Sequence, residues 1–456
     1  MTPRFNVAAL AVFIFLPFVG AVLGLSGGAT DLESRREQGF PDLREAPLDE
    51  ARWADVGKWF EDRLPARATA IDLEARSARL VGGREAGNDL VGLGTGGWLF
   101  YRASLNQACI SSDGERSLRA EIEVAGRLLE STGRRLVVSI APDRATVASR
   151  QLGGLDAECV QQNRVVVENL ADHPDVIDLA DAVGGTAHAL TLDTHWSPSG
   201  AIAAAELIVD AIQPGLWEEP DLIVTSIDRS GDLQRFLQDD GFEVIEYPRF
   251  DRQDASQVAE VETPAPNFPM VESLTPGGDE LNVVLLHDSF GGNREADGGT
   301  AVGLAAEYIR PWFENFTSIR LPQDGAPLIG QAPVAARIVE ADVVALLFVQ
   351  RLLPNHLAHG QVVAPLVSAL IHELDAQPLS TQTTREGQIT MPTSDAGAVV
   401  LDGLEPGLTT ELSVTATAGA ILGRVDMDER VVLHVDEGTV LTLGPEATSV
   451  MFVALP

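Results

Sequence analysis

Apolar residues recur along this chain in two rhythms that alternate through its middle. Over 117–132, Leu118, Ile122, Ala125 and Leu129 fall at three- and four-residue steps, the period of one helix face, and Gly133 stands where such a helix ends. Residues 136–140 form a short, nearly unbroken apolar run, the mark of a strand buried on both faces. The same alternation predicts a helix over 159–171, a strand over 176–179, a helix over 201–212 and a strand over 281–286. Helices over 301–313 and 332–340, a strand over 343–349 and a helix over 362–374 complete the series. Strands alternating with helices in this way predict an α/β fold with a mostly parallel sheet flanked by helices. Between 214 and 276 the rhythm weakens to one short helix over 228–238 and a proline-containing excursion over 253–276.

Upstream of this region, residues 48–80 read as helical, with Trp53, Val56, Trp59 and Phe60 spaced as core packing. Residues 91–101, Val-Gly-Leu-Gly-Thr-Gly-Gly-Trp-Leu-Phe-Tyr, place glycines too irregularly for a phosphate loop, and no lysine follows. They read as a turn leading into an aromatic strand. The two ends of the chain differ from its middle. Arg4 precedes an uncharged apolar run over 7–25, and acids begin at Asp31. That run has the length of one membrane span, while Ser26-Gly27-Gly28-Ala29 would suit signal cleavage. Residues 1–30 are therefore expected to be a membrane anchor or a removed signal, with the bulk of the protein outside the cytoplasm. Residues 31–50, polar with Pro41 and Pro47, read as a linker, and 51–378 as the main domain. After Pro378, short runs of threonine, valine and leucine over 398–401, 412–417, 431–435, 440–443 and 450–454 predict a small β-sandwich-like domain over 386–456. Phe452 is its only aromatic, which favours a structural cap over a carbohydrate-binding module.

Charge narrows the partners. With 67 acidic against 32 basic residues the formal net charge is −35, a field that repels phosphate backbones and argues against nucleic acid. It also disfavours a polyanionic acceptor, unless the site carries a local arginine patch. The two cysteines, Cys109 and Cys159, can pair in an oxidising compartment, and no cysteine–histidine set has metal-site spacing.

Two stretches carry chemistry. Asp193-Thr194-His195-Trp196-Ser197-Pro198 places an imidazole beside a carboxylate at a helix start, with Ser197 as N-cap and Pro198 as first helical residue. Taken alone, Asp-x-His at a helix start is more often an ordinary polar cap. At the end of the 281–286 strand stands His287-Asp288-Ser289-Phe290-Gly291-Gly292. Strand ends of a parallel sheet are where ligands bind, so a serine there can face a cleft and its backbone N–H groups can hold an oxyanion. Taken together, Ser289 as nucleophile, His195 as general base and Asp193 as the group fixing its tautomer complete the roles of a serine triad. Arg144 reads as a holder of an acceptor carboxylate or of a loop, or as a structural ion pair; Tyr101 and Trp196 read as packing.

Six stretches in order resemble one family. They are 59–67, Gly96-Gly97-Trp98-Leu99-Phe100-Tyr101, Ala141-Pro142-Asp143-Arg144-Ala145-Thr146-Val147, the Asp193–Ala201 stretch, Gly231-Asp232-Leu233 and Leu286-His287-Asp288-Ser289-Phe290. The chain resembles the extracytoplasmic polysaccharide O-acetyltransferases related to the alginate O-acetylation proteins, which carry an SGNH-hydrolase-like domain. Arg144 replaces the family's usual lysine, and His287 stands where a glycine is common. The resemblance implies the triad Asp193, His195 and Ser289, no cofactor and no metal. It also implies acetyl transfer to hydroxyls of a polysaccharide acceptor, with a membrane-bound O-acyltransferase as acetyl donor. A deacetylating carbohydrate esterase and a non-catalytic glycan-binding scaffold are the alternatives.

Overall fold

The computed structural model describes residues 90–237, 242–250, 256–261, 270–292, 304–321, 332–356 and 362–370, with strand segments between 376 and 454. Up to residue 349 the described strands are β1 (Val91–Leu93), β2 (Leu99–Tyr101), β3 (Arg135–Ala141), β4 (Val176–Asp178), β5 (Leu222–Arg229), β6 (Glu243–Phe250), β7 (Gln257–Val261), β8 (Met270–Leu274), β9 (Asp279–His287), β10 (Phe313–Arg320) and β11 (Val343–Val349). The helices that matter here are α1 (Ser112–Ser131), α2 (Arg144–Val147), α3 (Glu158–Leu170), α4 (Pro198–Ile212), α5 (Asp232–Phe236), α6 (Ala305–Ile309), α7 (Ala332–Glu340) and α8 (Val363–Leu370).

A seven-stranded sheet in the order β4-β3-β11-β9-β10-β8-β7 forms the centre. From β4 to β10 neighbouring strands are parallel, whereas β8 and β7 are added antiparallel. The sheet is thus mixed rather than mostly parallel throughout, because β7 and β8 pair as a meander on the outer edge. Side chains of successive strand residues point to opposite faces, so each apolar run feeds two cores. Leu136, Val138, Ile140, Val344, Leu346 and Phe348 pack with α1, α7 and α8, while Val137, Val343, Ala345, Leu347 and Val349 pack with α4 and α6. That double burial is why β3, β9 and β11 read as unbroken apolar runs.

Local chemistry sets the ends of the helices. Ser111 Oγ accepts the Gly114 N–H at 3.1 Å, and Asp113 and Glu115 lie in the first turn of α1. The helix therefore begins ahead of the apolar periodicity that predicted 117 as its start. Cys109 and Cys159 are joined by a disulfide with Cα atoms 4.6 Å apart, and the buried Asn163 carboxamide holds the same segment through Ile110 N–H, Gln107 Oε1 and the Ala108 carbonyl.

Three expectations are corrected. The stretch 253–276, read as an excursion from the sheet, instead supplies its strands β7 and β8. The helix predicted over 301–313 is the short α6 followed by a 3-10 turn, Arg310–Trp312, because Pro311 interrupts the helical ladder; the chain then becomes β10. The helix predicted over 228–238 shrinks to α5, because β-branched residues of 222–229 pair with β6 as a two-stranded ribbon. Beyond α8, Ala376–Pro378, Gly397–Asp402, Ile421–Met427, Arg430–Val435 and Ser449–Ala454 form a five-stranded antiparallel sheet, and Gln382–Thr383, Ile389–Pro392, Val414–Ala418 and Val440–Leu443 a four-stranded one. Val400 packs in the same core as α1 and α8. The apolar run over 7–25, the linker over 31–50 and the helical pattern over 48–80 lie outside the described residues; among the described residues no helix is long and apolar enough to cross a membrane.

Candidate active site

β3, β9 and β11 are parallel neighbours, so the residues just past their carboxyl ends, 142–144, 288–290 and 350–351, converge at one edge of the sheet. Asp288 builds the turn after β9. Its buried carboxylate accepts the Phe290 N–H at 2.8 Å and the Val349 N–H at 2.6 Å, while its own N–H donates to the Leu347 carbonyl at 3.2 Å. Asp288 is therefore a pin between this turn and β11, and Ser289 sits on a turn fixed from both sides. The Gly291 N–H donates to the Asp288 carbonyl at 3.3 Å, whereas the Ser289 N–H has no acceptor among the described residues.

His287, the departure from the family pattern, is accommodated rather than disruptive. Its Nδ1 lies 2.6 Å from the Asp288 carbonyl and its Nε2 2.7 Å from Ser318 Oγ. A carbonyl only accepts, which puts the proton on Nδ1 and leaves Nε2 to accept from the serine hydroxyl. Burial pushes this imidazole down to about 3, so it stays neutral. A Cβ at Gly291 would lie 2.5 Å from His287 Cβ, and the glycine makes room for the ring.

Asp193 and His195 are brought together. His195 Nδ1 is 2.7 Å from Asp193 Oδ1, and the same oxygen accepts the His195 backbone N–H at 3.1 Å. Ser197 Oγ accepts the Gly200 N–H at 3.3 Å and Pro198 opens α4, so the expected cap is present. The loop ahead of it is held by charged side chains acting on its backbone. The buried Arg144 guanidinium donates to the carbonyls of Asp193 and Thr191, the latter at 2.6 Å, and lies 4.8 Å from the Trp98 ring centroid. Burial pushes Arg144 down to about 10, which leaves it cationic at neutral pH. Arg144 thus holds a loop, the second of the roles open to it. Glu243 accepts the N–H groups of Thr191, at 2.8 and 3.0 Å, and of Leu192, at 3.2 Å. Asp232 accepts the Thr194 N–H at 2.7 Å and the Thr194 hydroxyl, while its own N–H donates to Asp193 Oδ2 at 3.1 Å.

Arg229 adds an ion pair to Asp193 Oδ2 at 3.3 Å. Burial opposes the charge on Asp193, but the hydrogen bond and charge of His195, with Arg229, hold its carboxyl well below the usual carboxylate range. Burial works against the imidazolium of His195 as well, yet the hydrogen bond and charge of Asp193 and the charge of Asp232 raise it above the ordinary histidine value. Sequence reasoning quoted Asp232 only within a motif and missed Arg229 and Glu243 altogether. Asp193, His195 and Asp232 bring their polar atoms within 4.8 Å of one another, close enough for a cation, but every carboxylate oxygen already accepts a hydrogen bond or ion pair. We read the set as a hydrogen-bond network and assign no metal ligand in it.

Among the described residues no hydrogen bond joins Ser289 to this dyad; the contact is made by its neighbour Phe290. The Phe290 ring lies 5.0 Å from the His195 ring and 5.2 Å, edge-on, from Trp196, and the Arg351 guanidinium 5.5 Å from Phe290. His195 Nε2 is buried without a hydrogen-bond partner among the described residues. The crevice beside it is lined by Pro142, Val147, His188, Trp196 and Phe290, without Ser289. Tyr101 stacks on Phe236 at 6.2 Å, a packing role. A cavity of about 540 Å³ lies against β7, β8, β9 and β10 and contains none of these residues.

Residues 91–294 match the family model described as an SGNH hydrolase-like domain, acetyltransferase AlgX. A curated relative, the probable alginate O-acetylase AlgJ of Pseudomonas fluorescens, is 27% identical over 254 residues, 52% of this chain and 61% of that protein. Among solved structures, the O-acetyltransferase domain of Pseudomonas putida AlgJ aligns at a TM-score of 0.37 and 20% identity, covering 58% of this chain and 92% of that one. AlgX of Pseudomonas aeruginosa aligns at a TM-score of 0.43 and 15% identity, covering 80% and 94%. The match thus spans about three fifths of the curated relative's length. Five of the six motif stretches, all but 59–67, fall within the residues that match this model, and over 91–294 the chain resembles the SGNH hydrolase-like domain of the AlgX acetyltransferase type.

Proposed function

We propose that this chain is an extracytoplasmic O-acetyltransferase that carries an acetyl group on Ser289 and delivers it to hydroxyls of a polysaccharide. The observation that carries the reading is the buried Asp193–His195 pair, 2.7 Å apart, with Nε2 left unpaired beside the turn that bears Ser289. With Nδ1–H committed to Asp193, Nε2 presents a lone pair, the state a general base requires. Nε2 takes the Ser289 proton as Oγ attacks the acetyl carbonyl, and returns it to the departing donor group. In the second half a glycan hydroxyl gives its proton to Nε2 and attacks the acetyl-serine, restoring Ser289. Asp193 stabilises the imidazolium in both halves. The Ser289 N–H, free of other acceptors among the described residues, is our candidate oxyanion donor; Phe290 and Gly291 use theirs within the turn.

A membrane-bound O-acyltransferase would supply acetyl, and the apolar run over 7–25 would serve as anchor or removed signal, with the β strands after residue 386 as a structural domain. The test is incubation with an activated acetyl ester followed by peptide mass measurement and acetate release. Wild type should acquire one acetyl group on Ser289, and Ser289→Ala should lose turnover by at least about a thousandfold. Turnover surviving Ser289→Ala without an adduct would sink the assignment. Acetate released to water with no transfer to added glycan would make the protein an esterase.

A further inference from the structure

The His195 ring faces a second carboxylate. Asp232 Oδ2 lies 3.7 Å from His195 Nδ1. It is carried on α5 and bonded to the Asp193–His195 loop. Its Oδ1 accepts the N–H groups of Thr194 and Leu233, both at 2.7 Å, and its Oδ2 accepts the Thr194 hydroxyl, which itself lies 3.3 Å from His195 Nδ1. Burial and the charge of Asp193 raise this carboxyl above the ordinary value, but all these partners are donors, which favours its ionised form. Gly231 permits the approach, since a Cβ there would lie 1.8 Å from the Leu192 carbonyl oxygen.

We propose that Asp232 is a positioning residue that sets the basicity of His195 through its charge beside Nδ1. Resting on the triad reading above, the proposal adds a fourth group to it. The other charged or titratable groups around the ring are Asp193 in its own loop, Arg351 after β11, Arg229 at the end of β5, Glu243 at the start of β6, Arg144 on α2 and His188 in the crevice lining. Arg351 works in the opposite sense to Asp232, so the two carboxylates together must outweigh it.

The experiment compares Asp232→Asn and Thr194→Val with wild type. His195 is titrated by NMR of its imidazole nitrogens, and the pH profile of hydrolysis of an activated acetyl ester is recorded. Asn keeps the shape and an acceptor for the Thr194 N–H but removes the charge. The His195 titration in Asp232→Asn should move down by about one pH unit, the effect of one unit charge at such a distance even through water. The acid limb of the rate profile should follow it down. Thr194→Val removes the hydroxyl and leaves the carboxylate, so the His195 titration should stay or rise. An unchanged titration in folded Asp232→Asn would overturn the proposal, as would a fall in Thr194→Val, which also decides the matter if the Asn variant does not fold. Because the NMR titration needs no turnover, it remains readable if Ser289→Ala shows the triad reading to be wrong.

Discussion

Gly231→Ala should be the most damaging glycine-to-alanine change among the described residues. A Cβ at this position would meet three backbone atoms: the Leu192 oxygen at 1.8 Å, the Leu192 carbonyl carbon at 2.2 Å and the Asp193 nitrogen at 2.8 Å. None of them belongs to a flexible side chain, so relief requires the turn before α5 to retreat by roughly 1.5 Å to reach ordinary contact distance. Two backbone N–H groups donate across that interface, Asp232 N–H to Asp193 Oδ2 at 3.1 Å and Thr194 N–H to Asp232 Oδ1 at 2.7 Å, beside the Thr194 hydroxyl's bond to Asp232 Oδ2. Such a retreat takes both beyond hydrogen-bond range.

Overpacking alone costs about 1–3 kcal/mol, and two hydrogen bonds to charged acceptors are worth about 1.5–3 kcal/mol each. Partial relaxation trades one against the other, which places the loss at about 3–5 kcal/mol, a large share of a typical domain's stability. Urea unfolding, with the slope checked for constancy, measures it. Gly215→Ala is the control: Gly215 has φ 77° with nothing within 4 Å of its would-be Cβ, so only backbone strain of about 1–2 kcal/mol applies. If Gly231→Ala is no less stable than Gly215→Ala, the docking of the Asp232 turn on the histidine loop is not as described.

Arg144→Lys should lower stability by about 2–3 kcal/mol, since one ammonium cannot reproduce the fork that bonds the carbonyls of Thr191 and Asp193 while lying over Trp98; an unchanged thermal midpoint would count against the loop-holding role. Acid should unfold the protein partly through Asp193. Its folded value is held below the unfolded one of about 3.9, so its contribution is present above that pH and is lost as pH falls through the folded value. Unfolding free energy measured against pH should accordingly fall less steeply below about pH 4 in Asp193→Asn than in wild type, and parallel curves would refute this.

How much of this was legible depended on where each side chain finds its partner. β3, β9 and β11 could be read because a strand buried on both faces is apolar throughout, whatever its neighbours are. β10 could not: Phe313, Phe316 and Ile319 fall at three-residue steps that continue the helical period of Ile309 and Trp312, and only the pairing with β9 and β8 turns them into a strand. β5 was hidden for the opposite reason. Leu222, Ile223 and Val224 are all exposed on a two-stranded ribbon, so no alternation marks a buried face.

The same division runs through the site. Asp193 and His195 are two residues apart, and the capped start of α4 after them is local chemistry, so the pair could be named from the chain alone. Arg144, Asp232 and Glu243 reach that loop from 49, 38 and 52 residues away; the first two stand in motifs of the family resemblance, but no local spacing says which loop they hold, and Glu243 has no such signal. Yet they determine what the local pair can do. The helix cap fixes the exit of the loop, but the segment 191–194 makes no ladder of its own. Its carbonyls go to a guanidinium and its amides to two carboxylates. Such charge-assisted bonds are shorter and stronger than neutral ones, and each is directional. An imidazole carried on this backbone is therefore fixed without a secondary-structure element beneath it. The acidic groups that fix it also favour its protonation, so the geometry and the basicity of His195 come from one set of side chains, and a change to either will move both.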